Sequence, residues 1–406
     1  MIAVYKSVAL DTRAIRLARR AFGGLVAYDA FQRLGDPAFY LSDLGVLPRS
    51  LYYSFYEQSW AWSLYQLSGY PQFSIFLLIV TLALGVLHLA GRSRRATRIL
   101  LWVLVLSVQN RNPAILDGTD DLLRLFLFWD MFLPGEDENP NQVVTWATLG
   151  FQLQLCLAVL LWAKAIKLDH LYFASQWGGR ELSVDLVFLQ RFVQGALAFF
   201  ALSVWLKAVR PAALILVLPA LVLSAYQLHP LFPLTVAAGA LTLFPFRRKS
   251  DPSPEIRSSL SRITVLGLLL ISITVLLLNF VDHQSVRRLV VPIGQAGGLL
   301  QDWKRVYPLG QNQVVELVVR AAGNPVWVVN RQSSRRDRLF AQRVGELSSW
   351  AAYLGGAVGH RYSLPAGVEV WMQKEILSKE FCLGGIEVVL LSPTPVNSET
   401  RRLVTP

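Results

Sequence analysis

Two lysines close an apolar run in "LLWAKAIKLDHLYF" (residues 160–173): Lys164 and Lys167, three apart and so on one face of a helix. A lysine at the edge of a membrane usually snorkels, its stem in lipid and its ammonium in the headgroups. A lysine enclosed by apolar groups gives up its proton more readily and becomes a base. A second concentration of chemistry lies in "SVQNRNPAILDGTDDLLRLFLFWDMFLP" (residues 107–134). There Asn110, Arg111, Asn112, Asp117, Asp120, Asp121 and Arg124 stand directly before a greasy segment. Asp120 and Arg124 are four apart, acid first, which predicts an ion pair on a helix, with Asp121 three from the same guanidinium. Asp117-Gly118 reads as a turn, and Asp117 or Thr119 as the cap of the helix that follows. The group fits a capped helix charged at an interface. It equally fits the wall of a membrane pocket, with the remaining polar groups facing the pocket mouth. A third candidate is His229 in "YQLHPLFPLTVAAGALTLFPF" (residues 226–246), where a lone histidine is more often structural than catalytic.

The solvent around these residues decides between the readings, and composition speaks to it. Of 406 residues 53% are hydrophobic and only 16% charged, against about 25% charged in soluble domains. Mean hydropathy is +0.41. The formal net charge is +12, but the basic residues fall in short clusters between apolar runs, 13–20, 92–98 and 247–262, as they do in cytoplasmic loops. No continuous basic stripe is present, and nucleic acid is not an expected partner. The five histidines form no spaced ligand pair, so no metal is predicted. No P-loop, dinucleotide fingerprint or serine-nucleophile motif occurs.

Nine membrane segments are predicted, at about 15–33, 71–91, 97–109, 119–133, 143–163, 187–206, 211–227, 230–246 and 263–281. The last is long enough to cross a hydrocarbon core of about 30 Å. The third and fourth are short and fit best among other helices. With the N-terminus in the cytoplasm, nine crossings put the basic loops at 91–98, 206–210 and 246–262 on the inner side and the C-terminus outside. No cleavable signal peptide is read, and the first membrane helix is expected to direct insertion. Residues 34–70 become an outer loop, in which "SLYYSFYEQSWAWSLYQL" (50–67) predicts an interfacial amphipathic helix. That helix either seats the protein at the headgroups or covers a lipid-soluble ligand.

After residue 282 the pattern changes to short alternating runs such as "VVELVVRA", "PVWVVN" and "GIEVVLLSP", which predict strands, with an amphipathic helix over 337–358. Two cysteines, Cys156 and Cys382, give no disulfide framework. The expected fold class is a polytopic α-helical membrane protein of about nine membrane segments with a small C-terminal α+β extramembrane domain. The predicted boundary divides a helical membrane domain, 1–281, from an extracytoplasmic α+β domain, 282–406.

In order and rough spacing, "FYLSDLGVLPRSLY" (39–52), "QNRNPAILDGTDDLLRLFLFWDMFLP" (109–134), "AKAIKLD" (163–169) and the His229 segment resemble the HTTM family. This is the membrane domain of vitamin K-dependent γ-glutamyl carboxylases and of many bacterial proteins. "LLQDWKRVYPLG" (299–310) resembles the segment that follows the last helix in bacterial members. The resemblance implies a bacterial inner membrane protein and a quinone or hydroquinone cofactor of the vitamin K type. By the "KLD" match it implies Lys167 as the base that deprotonates the hydroquinone. The chain departs from the pattern in three places. Arg111 follows Asn110 where carboxylases place an Asn-His pair. Trp177 and Gly178 lie ten and eleven residues beyond Lys167, farther than in the family. The C-terminal part, about 110 residues, is much shorter than the region that helps carboxylases bind a protein substrate. Two functions therefore stand side by side. One is quinone-dependent oxygenation or carboxylation, a lyase-like activity with Lys167 as base. The other is a non-catalytic membrane scaffold or accessory subunit that keeps the fold and a quinone or lipid pocket and works beside a protein partner in the bilayer.

Overall fold

The computed structural model describes residues 9–35, 37–44, 47–56, 60–113, 116, 118–135, 142–165, 186–206, 208–227, 231–244, 255–256, 262–277, 284–299, 316–321, 324–329, 386–391 and 401–404. Most of these are helical. In chain order the helices are α1 (Thr12–Arg33), α2 (Pro37–Leu41), α3 (Arg49–Tyr56), α4 (Pro71–Leu89), α5 (Arg95–Arg111), α6 (Gly118–Asp130), α7 (Trp146–Ala165), α8 (Leu186–Ser203), α9 (Arg210–Gln227), α10 (Leu231–Ala240), α11 (Arg262–Leu277) and α12 (Gln284–Ala296). Each of the nine apolar segments predicted from sequence contains one of these helices, although the segment predicted from 143 opens in a strand and the one predicted to 133 ends in a turn. Two of these helices, Pro71–Leu89 and Trp146–Lys164, are long and apolar enough to cross a membrane. The predicted helix over 50–67 is divided: α3 ends at Tyr56, and a single 3-10 turn covers Leu64–Gln66.

Two ends of the helical body are marked by what joins there. At one end β1 (Leu10–Asp11) pairs antiparallel with β2 (Gln142–Val144), Leu10 opposite Val143. β2 pairs parallel with β3 (Glu255–Ile256), Val143 opposite Glu255. These strands precede α1, separate α6 from α7, and precede α11, so the three connections meet at one end, the strand end. The opposite end carries the segment between α1 and α4, which lies across the ends of α5 and α6 as a lid. A second sheet, β4 (Glu316–Ala321), β5 (Asn324–Val329), β6 (Ile386–Leu391) and β7 (Arg401–Val404), has the order β5-β4-β6-β7 with every pairing antiparallel. β4, β5 and β6 fall on the three runs predicted as strands. The predicted helix over 337–358 lies outside the described residues.

The centre of the body is α6. All thirteen of its residues are buried, including Asp120, Asp121, Arg124 and Asp130. At 1.5 Å per residue it is only ~20 Å long, so it is enclosed by longer neighbours. Its rings seat against small residues. A β-carbon on Gly150 of α7 would meet the Trp129 ring at 2.8 Å, and one on Gly239 of α10 would meet Phe126 at 2.7 Å. Phe126 stacks on Phe151, with centroids 4.6 Å apart, and Phe22 of α1 closes the group at 5.3 Å from Phe126. Helices α1 and α4 approach still closer, backbone on backbone. A β-carbon on Gly23 would fall 2.5 Å from the β-carbon of His88, and one on Gly85 would fall 2.8 Å from the Ala27 nitrogen. Small residues at a helix crossing permit that approach where lipid supplies no hydrophobic drive between helices.

The outer faces of several helices are apolar and uncovered. Phe76, Ile79 and Val86 project from α4, Phe188 and Leu202 from α8, and Ile215 and Val222 from α9, the last two 70% and 69% exposed. Helix α12 belongs with the helical body: the indole nitrogen of Trp62 donates to the Ala296 carbonyl at 2.9 Å, and Leu299 is buried in the common core. The lid and α6 hold the segment after α11 by hydrogen bonds.

The α1–α4 contact gives a direct test. Gly23→Val and Gly85→Val should each lower the melting temperature in detergent by several degrees, since overpacking costs about 1–3 kcal/mol even where side chains can yield, and here backbone stands in the way. Gly195→Ala, with nothing within 4 Å of its added carbon, should leave it unchanged or raise it slightly.

Candidate functional site

The polar stretch that opens the second motif is built on the end of α5. Asn112 follows the helix with φ −141° and ψ 87°, the extended conformation imposed on a residue before proline, here Pro113. That turn aims four consecutive polar side chains at the lid end. Gln109 donates to the Asp120 carbonyl at 2.9 Å. Asn110 donates to the Trp62 carbonyl at 2.8 Å, and Asn112 to the Tyr40 carbonyl at 3.0 Å. Arg111, fully buried, donates to the carbonyls of Leu47 at 2.6 Å and Ser42 at 3.1 Å and lies 3.5 Å from the Asp43 carboxylate. Asp43 in turn holds Arg49, whose guanidinium reaches the Gln66 carbonyl. The lid also donates back to α5, from the Ser63 hydroxyl to the Ser107 carbonyl at 2.5 Å.

Beneath the lid lies a buried ionic chain. Arg33, at the end of α1, bonds Asp29 at 2.6 Å and Asp120 at 2.7 Å. Arg124 bonds Asp121 at 2.7 Å, the Gly298 carbonyl at 2.9 Å and the side-chain oxygen of Gln109. Asp120 and Asp121 occupy the first turn of α6, where the helix dipole favours negative charge. Arg33 occupies the last turn of α1, where it favours positive charge. Across the whole lid end four arginines (33, 49, 111, 124) meet four aspartates (29, 43, 120, 121), so the paired set is neutral. A small cavity beside it is lined by Asp29, Arg33, Thr81, Gln109 and Asp120 among aliphatic groups, with a volume of about 10 Å³. That is room for about one water, and no ring system enters it.

The structure therefore brings together Asn110, Arg111, Asn112, Asp120, Asp121 and Arg124, but not in the expected pattern. Arg124 takes Asp121 rather than Asp120, because three residues along the helix align those two while Asp120 faces α1 and Arg33. Nor do the asparagines and Arg111 face a pocket mouth; they grip the carbonyls of the lid. Asp117, Lys167 and His229 lie outside the described residues. Lys164 is exposed on the last turn of α7, at the lid end.

A second ionic group, at the strand end, was not foreseen from sequence. Arg19 of α1 forms a forked pair with Asp130, at 3.0 and 2.8 Å, and also bonds the Pro134 carbonyl. Arg98 of α5 donates to the carbonyls of Asp130 and Leu133 at 2.7 and 2.8 Å. His88 lies close by, its ring between the Leu84 carbonyl and the Ser93 hydroxyl. Arg19 and Arg98 stand in basic clusters at the edges of the predicted segments 15–33 and 97–109, and both are buried. Asp130 was the available signal: a lone acid in "LFLFWDMFLP" requires a cation from elsewhere in the chain.

Set against models of protein families, against curated proteins and against solved structures, the chain matches none.

Removing one member of a buried pair leaves the other charge uncompensated, at about 3–5 kcal/mol. Arg124→Ala and Arg19→Ala should each destabilise the detergent-solubilised protein on that scale, measured by thermal or denaturant unfolding. The double variant Arg19→Met/Asp130→Leu should recover most of the loss, since a well-packed apolar pair can replace a buried ionic one. A neutral Arg19→Ala would mean that water reaches the pair.

Proposed function

We propose that the chain is an integral protein of a bacterial inner membrane, of the HTTM type, crossing the bilayer nine times with its N-terminus in the cytoplasm and its C-terminal sheet outside, and that it acts as a non-catalytic scaffold or accessory subunit. The bilayer is supported by the uncovered apolar faces of α4, α8 and α9. Exposed large aliphatic and aromatic side chains gathered on outward helix faces are the kind of surface that soluble monomers avoid. The nine crossings are supported by parity. β1, β2 and β3 pair at one end although four helices on predicted membrane segments (α1, α4, α5 and α6) separate β1 from β2 and four more (α7 to α10) separate β2 from β3. An even number of crossings returns the chain to the same side each time. Gly298, which lies beyond α11, the helix on the ninth predicted segment, and just after α12, meets Arg124 at the opposite end.

The scaffold reading rests on one observation above all: the amide nitrogens of Asn110 and Asn112 and both terminal guanidinium nitrogens of Arg111 donate to carbonyls of the lid. A pair that must poise a proton for chemistry needs a free acceptor or donor facing substrate. These residues instead anchor backbone. An enclosed, aromatic-edged platform of this kind suits a protein that presents its outer surface to a membrane partner.

A second reading, quinone chemistry with Lys167 as base, is favoured by one feature. α7, the helix that leads to Lys167, ends at the lid end, the side where the lid covers the body. A quinone of the vitamin K type would be the cofactor, and Lys167 would take a proton from the hydroquinone hydroxyl.

One preparation separates the two. Protein purified in mild detergent is extracted with organic solvent and assayed for quinone by absorbance and mass. The scaffold reading predicts substoichiometric quinone, and Lys167→Ala and Lys167→Arg variants that assemble as the parent does. Near-equimolar quinone, together with a Lys167→Arg variant that fails because arginine keeps its proton, would establish the enzymatic reading instead. For topology, a C-terminal alkaline phosphatase fusion should be active and a C-terminal cytoplasmic fluorescent fusion dark; the reverse pattern overturns nine crossings.

A further inference from the structure

We propose that the strand end carries a binding site for the phosphate of an anionic phospholipid, formed by Arg20, Arg92, Arg94 and Arg95 where α1 meets the turn between α4 and α5. The proposal rests on the bilayer reading above. Helix α4 stops at Leu89, and Gly91, at φ +74°, turns the chain back so that the Arg92 nitrogen bonds the Leu87 carbonyl. The guanidinium of Arg20 lies over that glycine: a side chain at position 91 would meet its Nη2 at 2.7 Å. This fixes an arginine of α1 beside Arg92. Arg94 then caps α5 without a side-chain hydrogen bond, and no acid stands in the first turn. The first amides of α5 are thus available donors at the positive end of a helix, flanked by Arg94 and Arg95.

All four arginines are exposed. None makes an ion pair among the described residues. Their buried neighbours differ: Arg19 is paired with Asp130, and Arg98 is held by carbonyls. Among the described residues the exposed set is therefore a cluster of positive charge without an acidic partner. Guanidinium forks and helix amides together match a phosphodiester, which offers several acceptor oxygens on one charge. Apolar surface continues from the site toward the other end. Val86 and Leu89 of α4 are exposed, and Gly24 leaves a shallow place on α1 next to Leu89. Acyl chains fit that surface, whereas a free phosphate has no use for it, and this selects a lipid as the occupant.

The test uses the full chain in a neutral detergent doped with equal amounts of phosphatidylglycerol and phosphatidylcholine, with retained lipid counted by native mass spectrometry. Phosphatidylglycerol should be retained at least about tenfold over phosphatidylcholine, given roughly fivefold per juxtamembrane arginine. The preference should fall sharply in R20Q/R92Q/R94Q/R95Q and by about fivefold in R95Q alone. The pair R191Q/R288Q, which removes exposed charge at the lid end, should leave it intact. Equal retention of both lipids by the parent overturns the proposal. So does an undiminished preference in the quadruple variant. Displacement of the lipid by millimolar inorganic phosphate would make this a free-anion site and overturn the lipid assignment. Whether the parent leaves a membrane fraction only with detergent is read separately and tests the bilayer reading itself.

Discussion

A carboxylate in the interior of this protein keeps its charge only where a guanidinium from another helix reaches it, and that requirement organises the helical body. α6 is enclosed on every side yet carries acids at both ends. Asp120 is met by Arg33 of α1, and Asp130 by Arg19 of the same helix. Because those two arginines stand fourteen residues apart on α1, about 21 Å at 1.5 Å per residue, the two pairs fix α1 antiparallel to α6 and set its register. Arg98 and Gln109, near the two ends of α5, repeat the arrangement on the neighbouring helix. Apolar packing then fills the space between, with Phe126 and Trp129 lodged against Gly239 and Gly150. Packing alone would tolerate sliding of one helix against the next. The polar ends do not, because a shift by one turn would leave ions buried and unmatched.

The lid follows from the same economy of buried polar groups. The carbonyls of Tyr40, Ser42, Leu47 and Trp62 lie at or beyond helix ends, and buried carbonyls need donors. The side chains of Asn110, Arg111 and Asn112 provide them. Local sequence and tertiary structure are linked at this point: Pro113 stops α5, the stop turns three donors toward the lid, and the donors fix the lid over α6. In that arrangement the polar stretch has a structural role.

Much of this architecture was legible in the sequence. Runs of Leu, Val, Ile and Phe marked the long helices, and alternation marked three of the four strands in the C-terminal sheet. The charges at 120, 121 and 124 announced a buried ionic group. What sequence could not supply was partner identity across long separations. Nothing local ties Arg33 to Asp120 or Arg19 to Asp130, and the i to i+4 spacing favoured Asp120 with Arg124 although Asp120 faces another helix. The basic cluster at 13–20 hid the difference between Arg20, which is exposed, and Arg19, which is buried, because one residue on a helix turns a side chain by 100°. The dense aromatics of 50–67 read as one amphipathic helix within the lid, whereas the structure has α3 to Tyr56 and a separate turn at Leu64–Gln66. β1, β2 and β3, of two or three residues each, leave no periodicity to find.

The central claim is that cross-helix ion pairs in a water-poor interior fix the packing around α6. The measurement that addresses it most directly is a double-mutant cycle on Arg33 and Asp120, with unfolding free energies for the parent, Arg33→Ala, Asp120→Ala and the double variant. A buried, mutually dependent pair predicts a coupling energy of about 2 kcal/mol or more, with the double variant much less damaged than the two single losses added. A coupling near 0.3 kcal/mol, the value of a solvated surface pair, would contradict it.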